Sequence, residues 1–183
     1  VAALDIGPGD EVIVPPLTFI ATAFAPLFTG AVPVFADIDP RTFNIDPHDV
    51  EKKITNRTKA IITVSLYGLP PDMGRIMGIA EKYGLKVIED NAQCLLGKYG
   101  DDVAGTIGDI SIFSLQRSKH LTTGDGGVVV TSDENLAVRM RKLADLGYTT
   151  LTAKPGSNES FKETIQHPDF KRHEFLGYNF RMP

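Results

Sequence analysis

Short, continuous apolar runs alternate along this chain with stretches of helical spacing. The runs are Glu11-Val-Ile-Val14, Val32-Pro-Val-Phe-Ala36, Lys59-Ala-Ile-Ile-Thr-Val64, Lys86-Val-Ile-Glu89, Ile110-Ser-Ile-Phe-Ser114 and Gly127-Val-Val-Val-Thr131. Runs of this length without period-two alternation indicate strands buried on both faces, and such strands need helices above and below them. Strands that alternate with single helices also imply right-handed crossovers between parallel neighbours. The expected fold is therefore α/β, a three-layer sandwich around a mostly parallel sheet.

The punctuation between the runs agrees. Gly7-Pro-Gly-Asp10 is a turn ahead of the first run, and Pro15-Pro16 halts it. Thr18 is placed to cap a helix from Phe19 to Phe28 that Gly30 stops, with Pro26 kinking its last turn. Asp46-Pro47 opens a helix through Lys53, with Asp46 as cap and Pro47 at the first helical position, where a missing N–H costs nothing. Asp72 to Tyr83 is a helix closed by Gly84, and Asp133 to Leu146 another, with Leu136, Met140 and Leu143 on one side. From Thr149 to His173 the chain is largely polar and contains Lys154-Pro-Gly-Ser-Asn158, which predicts a surface excursion. The chain has no initiating Met, opens on Val1-Ala-Ala-Leu4 as if inside a helix and stops at Arg181-Met-Pro183 with no closing element, so it reads as a fragment.

Composition removes several functions. A net charge of −4 and no long Lys/Arg run leave no basic field for nucleic acid. The single cysteine, Cys94, excludes an internal disulfide framework, and no Cys/His cluster has metal-ligand spacing, so no metal is expected. No apolar run reaches the roughly twenty residues that cross a bilayer. A protein of the reducing cytoplasm, without membrane contact, is expected.

The chemistry concentrates at two strand ends. The run Lys86 to Glu89 leads into Asp90, with Gln93 one turn further on, and the run Ile110 to Ser114 leads through Leu115-Gln-Arg-Ser to Lys119 and then to Thr122-Thr-Gly-Asp-Gly-Gly127. Ligands of α/β sheets gather beyond the carboxyl ends of the strands, so Asp90, Ser114 and Lys119 can converge on one small molecule. A lysine amine forms an imine with an aldehyde cofactor and can then shuttle a proton, a carboxylate keeps a pyridine nitrogen protonated, and a hydroxyl donates to phosphate. Together they meet the specification of pyridoxal phosphate. Each also has an ordinary reading: a solvated surface lysine, a turn carboxylate, a strand-end serine, a polar loop glutamine. Cys94 reads as a small buried hydrophobe, and His48, His167 and His173 as scattered surface residues.

Gly7-Pro-Gly-Asp-Glu-Val-Ile-Val-Pro15, Thr18-Phe-Ile-Ala-Thr-Ala23, Pro33-Val-Phe-Ala-Asp-Ile-Asp39, Val87-Ile-Glu-Asp-Asn-Ala-Gln93, Phe113-Ser-Leu-Gln-Arg-Ser-Lys119 and Gly177-Tyr-Asn-Phe-Arg-Met182 together resemble the DegT/DnrJ-type nucleotide-sugar aminotransferases, in order and along nearly the whole chain. The resemblance implies the large domain of a fold type I pyridoxal-phosphate transferase over residues 1–183, incomplete, without the N-terminal phosphate loop and the C-terminal small domain. It puts the cofactor-bound lysine at Lys119, the partner of the ring nitrogen at Asp90, the ring contact at Gln93, a phosphate ligand at Ser114 and the stacking aromatic at Phe19. It also implies that Asn179 reaches the cofactor phosphate of a neighbouring subunit, hence a homodimer with shared active sites. Asn91 stands where the family usually has Ala, and Gln116-Arg117 where residues of His-Pro type are common. A related branch of sugar dehydrases carries His in place of the lysine; Lys119 argues against that branch, and the adjacent His120 falls one place later.

The implied activity is transfer of an amino group from an amino acid, glutamate or glutamine, to a nucleotide-linked keto-sugar or related cyclic ketone. A pyridoxal-phosphate sugar dehydrase or isomerase, and a non-catalytic regulatory member of the family, are the alternatives.

Overall fold

The computed structural model describes residues 1–149 and 171–180. It divides into two units, Val1–Ser132 and Asp133–Pro183. The first opens on a short 3-10 turn, Ala2–Leu4, ended by Asp5 in the left-handed region, where the sequence suggested a longer helix. It continues with β1 (Glu11–Val14), α1 (Ala21–Phe28), β2 (Val32–Phe35), α2 (Pro47–Lys53), β3 (Thr58–Val64), α3 (Met73–Tyr83), β4 (Lys86–Asp90), β5 (Lys98–Tyr99), β6 (Asp102–Val103), β7 (Ile110–Ser114) and β8 (Gly127–Val130).

The main sheet has six strands in the order β2-β1-β3-β4-β7-β8. All neighbours are parallel except β7 and β8, which pair antiparallel from Ser111 opposite Val130 to Ser114 opposite Gly127. The mostly parallel α/β expectation therefore holds. Its layering follows from strand parity. Ile13, Ile61 and Val87 pack with Val50 of α2 and Met73, Ile76, Ile79 and Ala80 of α3 in one core. Residues of the opposite parity, Val12, Ala60 and Ile88, are buried on the other face, the side of α1.

Helix ends follow their local chemistry with one exception. Asp46 accepts from the His48 N–H and Pro47 opens α2; Asp72 accepts from the Arg75 N–H; Gly84 closes α3 in the left-handed region, φ 66° and ψ 34°. Thr18 does not cap α1, whose first residue is Ala21 and whose N-cap is Ile20 without a side-chain bond; the Thr18 hydroxyl lies 3.5 Å from that of Thr22 instead. Burial on both faces also fails at the sheet's margins, since Val128, Val129 and Val130 of β8 are exposed, as are Val32 and Phe35 of β2. The β5–β6 hairpin has no apolar run to announce it and turns through Gly100 at φ 62°.

In the second unit α4 (Glu134–Ala144) is capped by Asp133, which accepts from the Asn135 and Leu136 N–H groups. Bridges pair Asp145 with Asn179 and Tyr148 with His173, and the Tyr178 and Phe180 rings stack at 4.9 Å. Most of the stretch expected to be a surface excursion, 150–170, and the end at 181–183 lie outside the described residues.

Candidate active site

Because β1, β3, β4 and β7 run parallel, their carboxyl ends share one edge of the sheet, and the loops leaving that edge carry the polar side chains. The β4 end is fastened on both flanks. The Ser65 N–H donates to the Asp90 carbonyl and the Asn91 N–H to the Ile112 carbonyl. Asn91 bridges the neighbouring strand ends, its Oδ1 accepting from the Ser65 hydroxyl at 2.6 Å and its Nδ2 donating to Ser111 Oγ at 2.9 Å. One residue earlier, the buried Glu89 carboxylate accepts from the N–H groups of Gly105, Ile107 and Gly108 at 2.8, 2.9 and 2.6 Å. Glu89 and Asn91 share one face of β4, so alternation turns Asp90 to the other, toward α1.

There Asp90 meets two donors. Its Oδ1 accepts from the Ala92 N–H at 3.0 Å, and its Oδ2 from the Thr22 hydroxyl at 3.1 Å. Burial pushes the Asp90 carboxyl above its ordinary value, while the Ala92 N–H, the Thr22 hydroxyl and the charge of Lys119 pull it back. Lys119 is half-buried and lines a hollow of about 620 Å³ with Tyr67, Ala92, Gln93, Ser118 and His120. A narrower cleft beside it brings Lys119 together with Ser114 and Asn91. The Ser114 hydroxyl accepts from the Gln116 N–H at 3.3 Å, and the Lys119 N–H donates to the Gln116 carbonyl, so a tight turn carries the lysine back over the strand end.

Of the residues singled out in the sequence, Gln93 and Lys119 thus line one hollow and Ser114 and Lys119 the cleft beside it, while Asp90 ends the neighbouring strand within reach of the Lys119 charge. Phe19 stands on the loop leading into α1, 72% exposed and apart from the hollow's lining. Asn179 belongs to the second unit, where it bridges Asp145. His120, exposed, is also among the residues lining the hollow.

Two residues at this edge escaped the sequence reading. Thr22, in the second position of α1, is one; the hydroxyl of Thr18, four residues earlier and ahead of the helix, lies 3.5 Å from its own. Tyr67 is the other. Its backbone sits in the left-handed region, φ 52° and ψ 27°, a strained state for an aromatic residue. Asn44 holds the turn through the Leu66 N–H and the Leu69 carbonyl, and Gln93 Oε1 accepts from the Tyr67 N–H at 3.1 Å. Gln93 thus lines the hollow with its oxygen engaged, and among the described residues no hydrogen bond is made by its amide NH₂.

An α/β sheet that gathers an amine, a carboxylate, an amide and a hydroxyl beyond its parallel strand ends defines a class of small-molecule-binding protein. The chain belongs to the DegT/DnrJ/EryC1/StrS aminotransferase family, whose model matches residues 1–183. It is 47% identical over 181 residues to a UDP-N-acetyl-3-dehydro-alpha-D-glucosamine 3-aminotransferase of Acidithiobacillus ferrooxidans, covering 98% of this chain and 44% of that protein. The crystal structure of an aminotransferase from Psychrobacter cryohalolentis is 40% identical, with a TM-score of 0.84 over 99% of this chain and 44% of that one. NtdA of Bacillus subtilis, solved with the cofactor PMP, is 36% identical with a TM-score of 0.81 over 99% of this chain and 37% of its own. The chain therefore spans less than half the length of these relatives. Among the described residues no helix is long and apolar enough to cross a membrane, and no group of His, Cys, Asp and Glu could hold a metal ion.

Proposed function

We propose that the protein to which this chain belongs is a pyridoxal-phosphate aminotransferase that moves an amino group from glutamate or glutamine to a nucleotide-linked keto-sugar. The observation that carries the reading is the placement of Lys119 at the strand-end edge, where its charge acts on Asp90 at the end of β4, with Gln93 lining the same hollow and Ser114 the cleft beside it. The donor set fits the cofactor: an amine for its aldehyde, a carboxylate for its ring nitrogen and a hydroxyl for its phosphate. When bound, pyridoxal phosphate supplies an electrophilic carbon and a ring that accepts electrons. Lys119 Nζ holds the group through its amine and, once displaced, moves the proton released at the donor's α-carbon. The Asp90 carboxylate keeps a proton on the ring nitrogen, which sustains the electron demand. Gln93 would donate to the ring's phenolic oxygen and Ser114 to its phosphate, and Phe19, on the loop leading into α1, would supply the stacking aromatic. Asn179 reaches the phosphate of a neighbouring subunit, which makes the working form a homodimer. In the same reading residues 1–183 are part of the large domain, the phosphate loop and small domain lie elsewhere in a longer chain, and the enzyme works in the cytoplasm.

The test uses the full-length protein with pyridoxal phosphate, glutamate and a panel of nucleotide keto-sugars, followed through the cofactor spectrum and by amine in the product. Lys119→Ala is expected to abolish both the visible absorbance of the lysine–cofactor linkage and turnover. Retention of both would overturn the assignment, and product lacking amine would favour the dehydrase or isomerase reading.

A further inference from the structure

We propose that Thr22 is a positioning residue for Asp90: from α1 its hydroxyl fixes the plane of the carboxylate and holds it charged toward the bound ring. The proposal rests on the reading of Asp90 given above. Thr22 is 4% exposed, and its only hydrogen points at Asp90 Oδ2 across 68 residues of chain. The other carboxylate oxygen is held from within the β4 turn by the Ala92 N–H. A donor on each oxygen, one local and one from another layer of the fold, stops rotation about the carboxylate bond and leaves lone pairs for a further partner. Neighbours Ala23 and Pro26 share Thr22's buried face, where a valine of the same shape would pack as well; what the hydroxyl adds is the bond to Asp90. Because Thr22 gives its hydrogen to Asp90, its oxygen is free to accept from the Thr18 hydroxyl 3.5 Å away, and each donor in that chain polarises the next. The charge of Lys119 also acts on Asp90, in the same sense as the Thr22 dipole.

Two variants of the full-length protein test this. Thr22→Val keeps the shape and removes the donor; Thr22→Ser keeps the donor. In cofactor-free protein the Asp90 carboxyl, followed by carbon-13 NMR, is expected to titrate about one pH unit higher in Thr22→Val than in wild type. Thr22→Ser is expected to return it. In the cofactor-loaded enzyme, kcat of the donor half-reaction falls by about tenfold in Thr22→Val, with KM changed less than about twofold, since a bond to a charged group is lost without touching the substrate. An Asp90 titration in Thr22→Val indistinguishable from wild type would overturn the proposal, as would a rate loss that Thr22→Ser does not restore. If wild-type protein forms no lysine–cofactor linkage, the reading of the site falls and this role with it. If the linkage forms and Thr22→Val behaves as wild type, Thr22 alone is wrongly assigned.

Discussion

Glu89 illustrates how single residues prepare this strand end. A carboxylate 2% exposed inside a parallel sheet is tolerable only when its oxygens are occupied, and the loop 105–108 turns its N–H groups inward to occupy them. Gly108 makes that approach possible, because a Cβ there would lie 2.9 Å from the Val87 carbonyl oxygen. Glu89→Gln turns one acceptor into a donor facing N–H groups, so it is expected to destabilise the fold by about 2–4 kcal/mol, measured as a lowered urea midpoint. Asp90, Ser114 and Lys119 were legible because strand ends in an α/β sheet are where ligands collect. Thr22 was not legible, since nothing in its neighbourhood tells that α1 brings its hydroxyl to the end of β4, and Tyr67 was hidden because left-handed strain leaves no mark in composition.

At the scale of elements, the strands β1, β2, β3 and β4 and the helices α2 and α3 were readable to within a residue or two, because their caps and stops are chemically distinct. Asp72 and Gly84 bound α3, and Asp72 also accepts from the Tyr99 hydroxyl at 2.7 Å, tying the β5–β6 hairpin to the helix. Asp72→Ala is expected to lower stability by about 1 kcal/mol through the lost cap, and Gly84→Ala by about as much through a left-handed φ that alanine resists. Thermal melts of the two variants check both. The direction of β8 was not readable. The connection from Leu115 to Gly126 is too long for a two-residue hairpin signal, and its contacts, such as the Leu115 N–H to the Gly126 carbonyl, form only when the chain returns.

For the molecule as a whole, pH acts on two carboxyls in opposite senses. Glu11, at the start of β1, is held below its ordinary 4.5, foremost by the Thr55 hydroxyl and also by Arg57 and Thr58, with burial opposing. A carboxyl depressed by folding supplies stability above its unfolded value and loses it as pH falls through the folded one. Asp90 is raised, so its contribution runs the other way: folding is penalised as pH climbs from 3.8 through its folded value. Urea midpoints of Glu11→Gln are therefore expected to lie below wild type near about pH 7 and to approach it as pH falls through the folded Glu11 value. Asp90→Asn is expected to gain on wild type as pH rises through the same range.

The order of strands and helices, the α/β class and the residues at the β4 and β7 ends were already present in the amino-acid order, because burial on both faces, caps and strand-end polarity are local properties. Which side chains answer one another across the sheet was settled only by folding. The Thr22–Asp90 bond, the Asn91 bridge between Ser65 and Ser111, and the N–H cradle around Glu89 all join segments distant in sequence, and hydrogen bonds of that kind exist only once strand order and register have brought their partners within 3 Å or so.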